Sequence, residues 1–265
     1  MFFPFHDDNP TVRTPLITVA LIVVNVGAFL WMLQLSPVDQ QVLTYRRGFV
    51  PARIAQLETG KPIEVKIRSD MRRLPNGRVL VREQPLALPA KPRQIYLSLL
   101  TCMFLHGGWL HLIGNMWFLW IFGNNVEDRL GPILYLGIYL TGGLLASASH
   151  WMVTPSSAVP VIGASGAVAT VLGAYAVTWP WARVHTLVFL FIFITVIEVP
   201  ALLVLAVWFL AQLAGGRQAL AQDTMAGVAW WAHIGGFVAG MVLMPVFSSL
   251  VSPPSERRRS GEDQR

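Results

Sequence analysis

Residues 161–175 read VIGASGAVATVLGAY, as apolar as a membrane helix, yet a hydroxyl, Ser165, stands there between Gly163 and Gly166. Small residues let helix backbones approach closely in lipid, and Gly166, Ala169 and Gly173 form such a small face. A matching face lies in WWAHIGGFVAGM, residues 230–241, where Gly236 and Gly240 make a GxxxG ridge and His233 stands just before it. If these two helices touch, His233 reaches Ser165. A hydroxyl near neutral pH is a weak nucleophile and needs a base at that distance.

Composition puts this pair in a membrane. The 265 residues are 54% hydrophobic and 13% charged, with mean hydropathy +0.53, whereas soluble domains carry about 25% charged residues. Ten tryptophans suit the membrane interface. The lone cysteine, Cys102, excludes an intrachain disulfide and a cysteine-based metal site. The opening MFFPFHDDNPTVRTP has acids and prolines where a secretory signal would run from basic to apolar, so the first apolar segment is expected to remain as an anchor. A pI near 10 raises the question of nucleic acid. However, twelve of the twenty Lys and Arg fall between residues 46 and 93, with another cluster at Arg257–Arg259. Neither block carries an aromatic stacking platform or a nucleic-acid motif, so a basic membrane-surface segment is expected and no nucleic-acid partner.

A span needs about 20 mainly apolar residues. The expected segments are 16–35, 108–123, 133–153, 163–177 and 226–250, together with an overlong run, 184–214. That run is read in two ways: one helix kinked at Pro200, or an interfacial strand or loop with the helix starting near Glu198. The second keeps a carboxylate out of lipid and is preferred. Arg13, Arg129, Arg183 and the Arg257 cluster then share one side and Arg217 lies on the other, which makes both termini cytoplasmic. The expected organisation is a cytoplasmic N-terminus 1–14, a membrane unit 15–250 with an external loop 36–98, and a disordered basic tail 251–265. Within the loop, alternation around Asn76-Gly77 predicts a β-hairpin over about 60–90.

Each polar group inside a bundle needs an account. The inventory is His106, His111, Asn115, Ser165 and His233, with Glu198 as the acid near a span. Two facing aspartates are missing and no H-E-x-x-H occurs, which argues against aspartyl and zinc mechanisms. A serine with a histidine remains. In HGGWLHLIGNMWFLW, residues 106–120, His111 and Asn115 are four apart and share a helix face. Together with the Ser165 N–H they can donate to a developing oxyanion. His106 reads as a structural brace. Each feature alone has an ordinary reading as packing or a polar helix contact; their joint occurrence points to catalysis.

These stretches resemble the rhomboid family of intramembrane serine proteases. The likeness runs through RRGFVPARI, TCMFLHGGWLHLIGNMWFLWIFGNNVEDRLG, VIGASGAVATVLGAY, EVPALLVLAVWFLAQL and GVAWWAHIGGFVAGM. It implies a six-transmembrane-helix, all-α polytopic bundle, here with a hairpin in the first loop. It also implies Ser165 as nucleophile, His233 as base, His111 and Asn115 as oxyanion donors, Gly163 beside the hole and Gly166 at a close helix contact. A dyad without a third acid, metal or cofactor would cleave transmembrane protein substrates from a site opening to the outer side of the membrane; a bacterial plasma membrane is expected because no long targeting segment is seen. Two departures stand out. Ala169 occupies a position that is aromatic in some relatives, which leaves Trp230 or Trp231 to orient His233. A tryptophan–arginine pair of the first loop is missing. The rival readings are a non-cleaving rhomboid-like protein that binds transmembrane clients, and a transporter; no internal repeat supports the latter.

Overall fold

The computed structural model describes residues 2–73, 79–190, 193–221 and 228–251. Its helices are α1 (Leu16–Met32), α2 (Pro37–Arg47), the single turn α3 (Gln56–Thr59), α4 (Pro92–Thr101), α5 (Trp109–Leu130), α6 (Pro132–Val153), α7 (Ser165–Thr178), α8 (Ala201–Ala221) and α9 (Trp230–Ser248). Five strands accompany them: β1 (Phe2–Asp7), β2 (Ile63–Arg73), β3 (Val79–Leu88), β4 (Arg183–Leu190) and β5 (Phe193–Pro200).

α7 is the axis of the bundle. Every residue from Gly166 to Ala176 is buried, as expected of a helix that is small and apolar all round. α9 lies against it with almost no side chain between. A Cβ on Gly236 would run into the carbonyl of Gly166, one on Gly240 into that of Thr170, and one on Gly173 into that of Phe237. α6 closes another side, where Gly142 receives Thr170 and Gly235 of α9 receives Ser149. Leu203, Val207, Val242 and Val246 face outward and are more than half exposed, an apolar belt suited to lipid.

By length and composition α6, α8 and α9 can each cross a membrane, and α4 with α5 forms a fourth candidate bent by 80°. α1 and α7 are shorter apolar helices. The second segment differs from its expected end near residue 123, because α5 continues to Leu130 through the polar stretch NNVEDRL. The reason is α1, whose N-terminus offers unpaired N–H groups. Glu127 accepts from the N–H of Ile17 and from both the N–H and hydroxyl of Thr18, each at 2.8 Å. Asp128 accepts from the Arg13 N–H at 2.9 Å. Acids therefore do occur within a long apolar helix, contrary to the inventory that placed Glu198 alone near a span.

Residues 183–190 and 193–200 are strands, not helix, and α8 begins at Ala201. β4 pairs with β5 and also with β1, so a three-stranded sheet draws in the N-terminal segment 1–14, for which the sequence predicts no strand. Pro4 cannot donate to a ladder, and the register shifts between Pro4 and His6. β2 and β3 pair from Ile63↔Leu88 to Arg73↔Val79; the expected Asn76-Gly77 turn and, apart from residue 251, the expected disordered tail 251–265 lie outside the described residues.

Candidate active site

Ser165 opens α7, at a helix start where the first N–H groups have no partner within the helix. Its Oγ lies 2.8 Å from Nε2 of His233. The backbone contact of α7 and α9 described above is what brings two short side chains from different helices to that distance.

The other ring nitrogen decides the proton arrangement. Nδ1 of His233 is 2.8 Å from Oε1 of Gln212 on α8, and Nε2 of Gln212 donates to the Trp208 carbonyl at 3.1 Å. With its NH₂ so engaged, Gln212 turns a carbonyl oxygen to the imidazole, which can only accept. Nδ1 must then carry the hydrogen, leaving Nε2 bare toward the Ser165 hydroxyl. That is the tautomer of a base. Trp208 and Trp230 flank the imidazole at centroid distances of 6.1 and 6.3 Å. Orientation by Trp230 or Trp231 was the expectation at this position. The described contacts give that work to Gln212, with Trp208 and Trp230 as walls, while Ala169 is fully buried against α9. Gln212 is absent from the sequence-based inventory, although it is the lone hydrogen-bonding amide or charged side chain between residues 201 and 214. That isolation in an apolar run was the available signal.

Opposite the dyad stand His111 and Asn115 of α5. Gly163 has φ +118°, a conformation that favours glycine. A Cβ there would sit 2.7 Å from Cε1 of His111 and 3.6 Å from Nδ2 of Asn115. The missing side chain keeps both groups against the backbone just ahead of Ser165. Nδ2 of Asn115 is buried and has no hydrogen-bond partner. His106 is 1% exposed, its ring packs edge-on to His111 at 5.1 Å, and its Nε2 accepts weakly from the Ala164 N–H at 3.5 Å. It thereby contacts the backbone just ahead of Ser165.

One cavity of about 810 Å³ is lined by Ser165, His233, Gln212, His111 and Asn115, with Phe118 of α5 and Trp208 of α8 among its apolar walls. It therefore holds a hydroxyl, an acceptor for its proton and the unpaired Asn115 donor within one space. Such a set can carry out acyl transfer. Among the described residues the one His/Asp/Glu group with metal-ligand spacing is Asp8, His185 and Glu198. It sits beyond the other end of α7, about 20 Å of helix from Ser165 at 1.5 Å per residue, and its members are engaged as Asp8–His185 and Arg183–Glu198 pairs.

The Rhomboid domain family model matches residues 93–250, more than half of the chain. Rhomboid-like protein 11, chloroplastic, of Arabidopsis thaliana is 39% identical over 90 residues, covering 32% of this chain and 31% of that protein. Presenilin-associated rhomboid-like protein, mitochondrial, of Mus musculus is 28% identical over 151 residues, covering 54% of this chain and 36% of that protein. Its Danio rerio counterpart, presenilin-associated rhomboid-like protein A, is 33% identical over 89 residues, covering 33% and 23% respectively. The chain thus spans little more than a third of the length of these relatives at most. The aligned stretch includes the helices that carry Ser165, His233, His111 and Asn115, and on that match the chain is an integral membrane protein of the rhomboid family.

Proposed function

We propose that this chain is a serine endopeptidase that cleaves membrane-anchored proteins in or near their transmembrane segment, with Ser165 as nucleophile and His233 as general base. The observation that carries the reading is the 2.8 Å contact of His233 Nε2 with Ser165 Oγ, with Nδ1 held by Gln212 in the tautomer a base requires. Ser165 Oγ attacks the scissile carbonyl carbon while its proton passes to Nε2. The carbonyl oxygen becomes an oxyanion and receives hydrogen bonds from Asn115 Nδ2, His111 and the Ser165 N–H. The protonated imidazole then gives its proton to the leaving amine, and the C–N bond breaks. Water, deprotonated by the same histidine, releases the acyl group from Ser165. His106, Gly163, Gly166, Gly236 and Gly240 support these groups by position.

Residues 15–250 form the membrane unit in this reading, with α1, α5, α6, α7, α8 and α9 as six spans. α7 has 14 residues, about 21 Å of helix, against a hydrocarbon core of about 30 Å. If its C-terminal end meets the interface, Ser165 lies roughly 10 Å below the opposite one. The pairing of β1 with β4 supports one side for Arg13 and Arg183, the cytoplasmic side under the positive-inside rule. Ser165 then opens outward.

The test is reconstitution of the full chain in liposomes with a single-span substrate. Cleavage is expected, with Ser165→Ala and His233→Ala each lowering kcat by roughly a thousandfold or more while thermal unfolding stays unchanged. A fluorophosphonate should label Ser165 and not the Ala variant. Binding of the substrate without labelling or cleavage would make the chain a non-cleaving member and overturn the reading.

A further inference from the structure

A second cavity, of about 620 Å³, adjoins the first, and Gly107, Gly108, Trp109 and Ile162 line both. The sill between them contains two consecutive glycines, and nothing lies within 4 Å of where a Cβ on Gly108 would be. The remaining walls come from α1, from Gln40, Gln41, Thr44 and Tyr45 of α2, and from Lys66, Arg68 and Glu83 of the β2–β3 hairpin. The hairpin is fixed in place by its backbone. Oε1 of Gln41 accepts from the Arg68 N–H at 2.9 Å, and its Nε2 donates to the Arg68 carbonyl at 3.1 Å. Lys66 is paired with Glu83 at 3.7 Å. The Arg68 guanidinium has no hydrogen bond or ion pair among the described residues, and the residue is exposed.

Two of the three charged side chains on this cavity's wall, Lys66 and Arg68, are basic and belong to the most basic stretch of the sequence. Residues 46–93 hold twelve Lys and Arg against four Asp and Glu, an excess larger than the +6 of the entire chain. A peptide bond held at Ser165 must belong to an extended strand, whose flanking residues leave the catalytic cavity. The sill, two glycines flanked by Trp109 and Ile162, opens onto a concave space that has the exposed Arg68 on its wall. We propose that this second cavity receives the segment of the substrate lying just outside its transmembrane stretch, and that Arg68 selects acidic side chains in that segment. The proposal rests on the protease reading for the word substrate, but the recognition it describes is a binding event that can be measured without cleavage.

The experiment uses the full chain as Ser165→Ala in nanodiscs of phosphatidylcholine, which carry no net charge. Fluorescent single-span peptides differ only in three outer juxtamembrane residues, which are Asp, Asn or Lys. The Asp peptide should bind about fivefold tighter than the Asn peptide at low salt, the scale of one exposed ion pair. The Lys peptide should bind weaker still, and the ranking should collapse at high ionic strength. Arg68→Glu should invert the order of Asp and Lys; Arg68→Gln should flatten it. Equal binding of all three peptides, or a ranking that Arg68→Glu leaves unmoved, overturns the proposal. So does a result in which Arg68→Glu alters only the response to added anionic lipid, since the arginine would then read headgroups. Cleavage of the same peptides by the unsubstituted chain separates the two claims. Charge-dependent binding without cleavage sinks the protease and keeps the cavity, whereas cleavage indifferent to charge does the reverse.

Discussion

At the scale of single residues, Asn115 is the informative case. Its Nδ2 is buried with no acceptor, a condition that costs roughly 1–3 kcal/mol for a neutral donor. A donor kept in that state beside Gly163 makes sense if its acceptor forms only during the reaction. Asn115→Ala should therefore lower kcat by about a hundredfold or more, with KM little changed and a melting midpoint that holds or rises. A fall in midpoint with kcat intact would return Asn115 to a packing role. Gln212 has the opposite profile, since both ends of its amide are engaged. Gln212→Met, which keeps the length but loses the acceptor, should cut kcat and the rate of fluorophosphonate labelling together by roughly 10- to 100-fold, the scale of a hydrogen bond to a group that becomes charged. Gln212→Glu, which keeps an oxygen toward Nδ1, should recover part of that loss; equal rates in all three proteins would deny Gln212 any positioning role. His111 and Asn115 were legible because a spacing of four fixes a shared face within one helix. The partnership of Gln212 with His233 was not, because it joins two helices and depends on the rotation of α8, which local sequence does not set.

Among the elements, the α7–α9 contact makes the sharpest demand. A methyl on Gly240 meets backbone of Thr170 and Ala174, and backbone cannot swing aside as a side chain can. Gly240→Ala should lower stability by about 1–3 kcal/mol, the usual penalty for overpacking, and should reduce activity by parting Ser165 from His233. Gly27 of α1 is the control, because nothing lies within 4 Å of an added Cβ. Gly27→Ala should be neutral or stabilise by up to about 1 kcal/mol, from helix propensity alone. Thermal unfolding of both variants in detergent checks the pair, and equal midpoints would refute the close-contact account. The small faces on α7 and α9 were readable from spacing because glycine pattern and helical period coincide. The end of α5 was not: NNVEDRL reads as a polar stop, and only the N-terminus of α1, more than a hundred residues earlier, explains why Glu127 stays helical and buried. The N-terminal strand escaped for the same reason, since β1 exists through its pairing with β4.

For the molecule as a whole, α7 ties the Ser165 cavity at one end to the sheet of β1, β4 and β5 at the other. The tie is Asp7 of β1, whose Oδ2 accepts from the Tyr175 hydroxyl of α7 at 2.5 Å and from Nδ2 of Asn125 of α5 at 2.9 Å. Burial raises the Asp7 carboxyl above its ordinary 3.8, outweighing the Tyr175 hydrogen bond and the nearby His6, while Asp8 adds to the rise. A raised folded value means that the folded chain binds this proton more tightly than the unfolded one. The stabilisation is therefore complete below about pH 4 and is lost as pH climbs from there through the folded value. Asp7→Asn keeps an oxygen for Tyr175 and removes the titration. Melting midpoints in detergent between about pH 4 and about pH 7 should show the Asn variant gaining on the native chain as pH rises. In a Tyr175→Phe background the gain should persist and grow, because that hydrogen bond opposes the rise that burial causes. A gap that stays constant, or widens toward acid, would mean that Asp7 is stabilised as a carboxylate and that the sheet is clamped to the bundle by charge rather than by a shared proton.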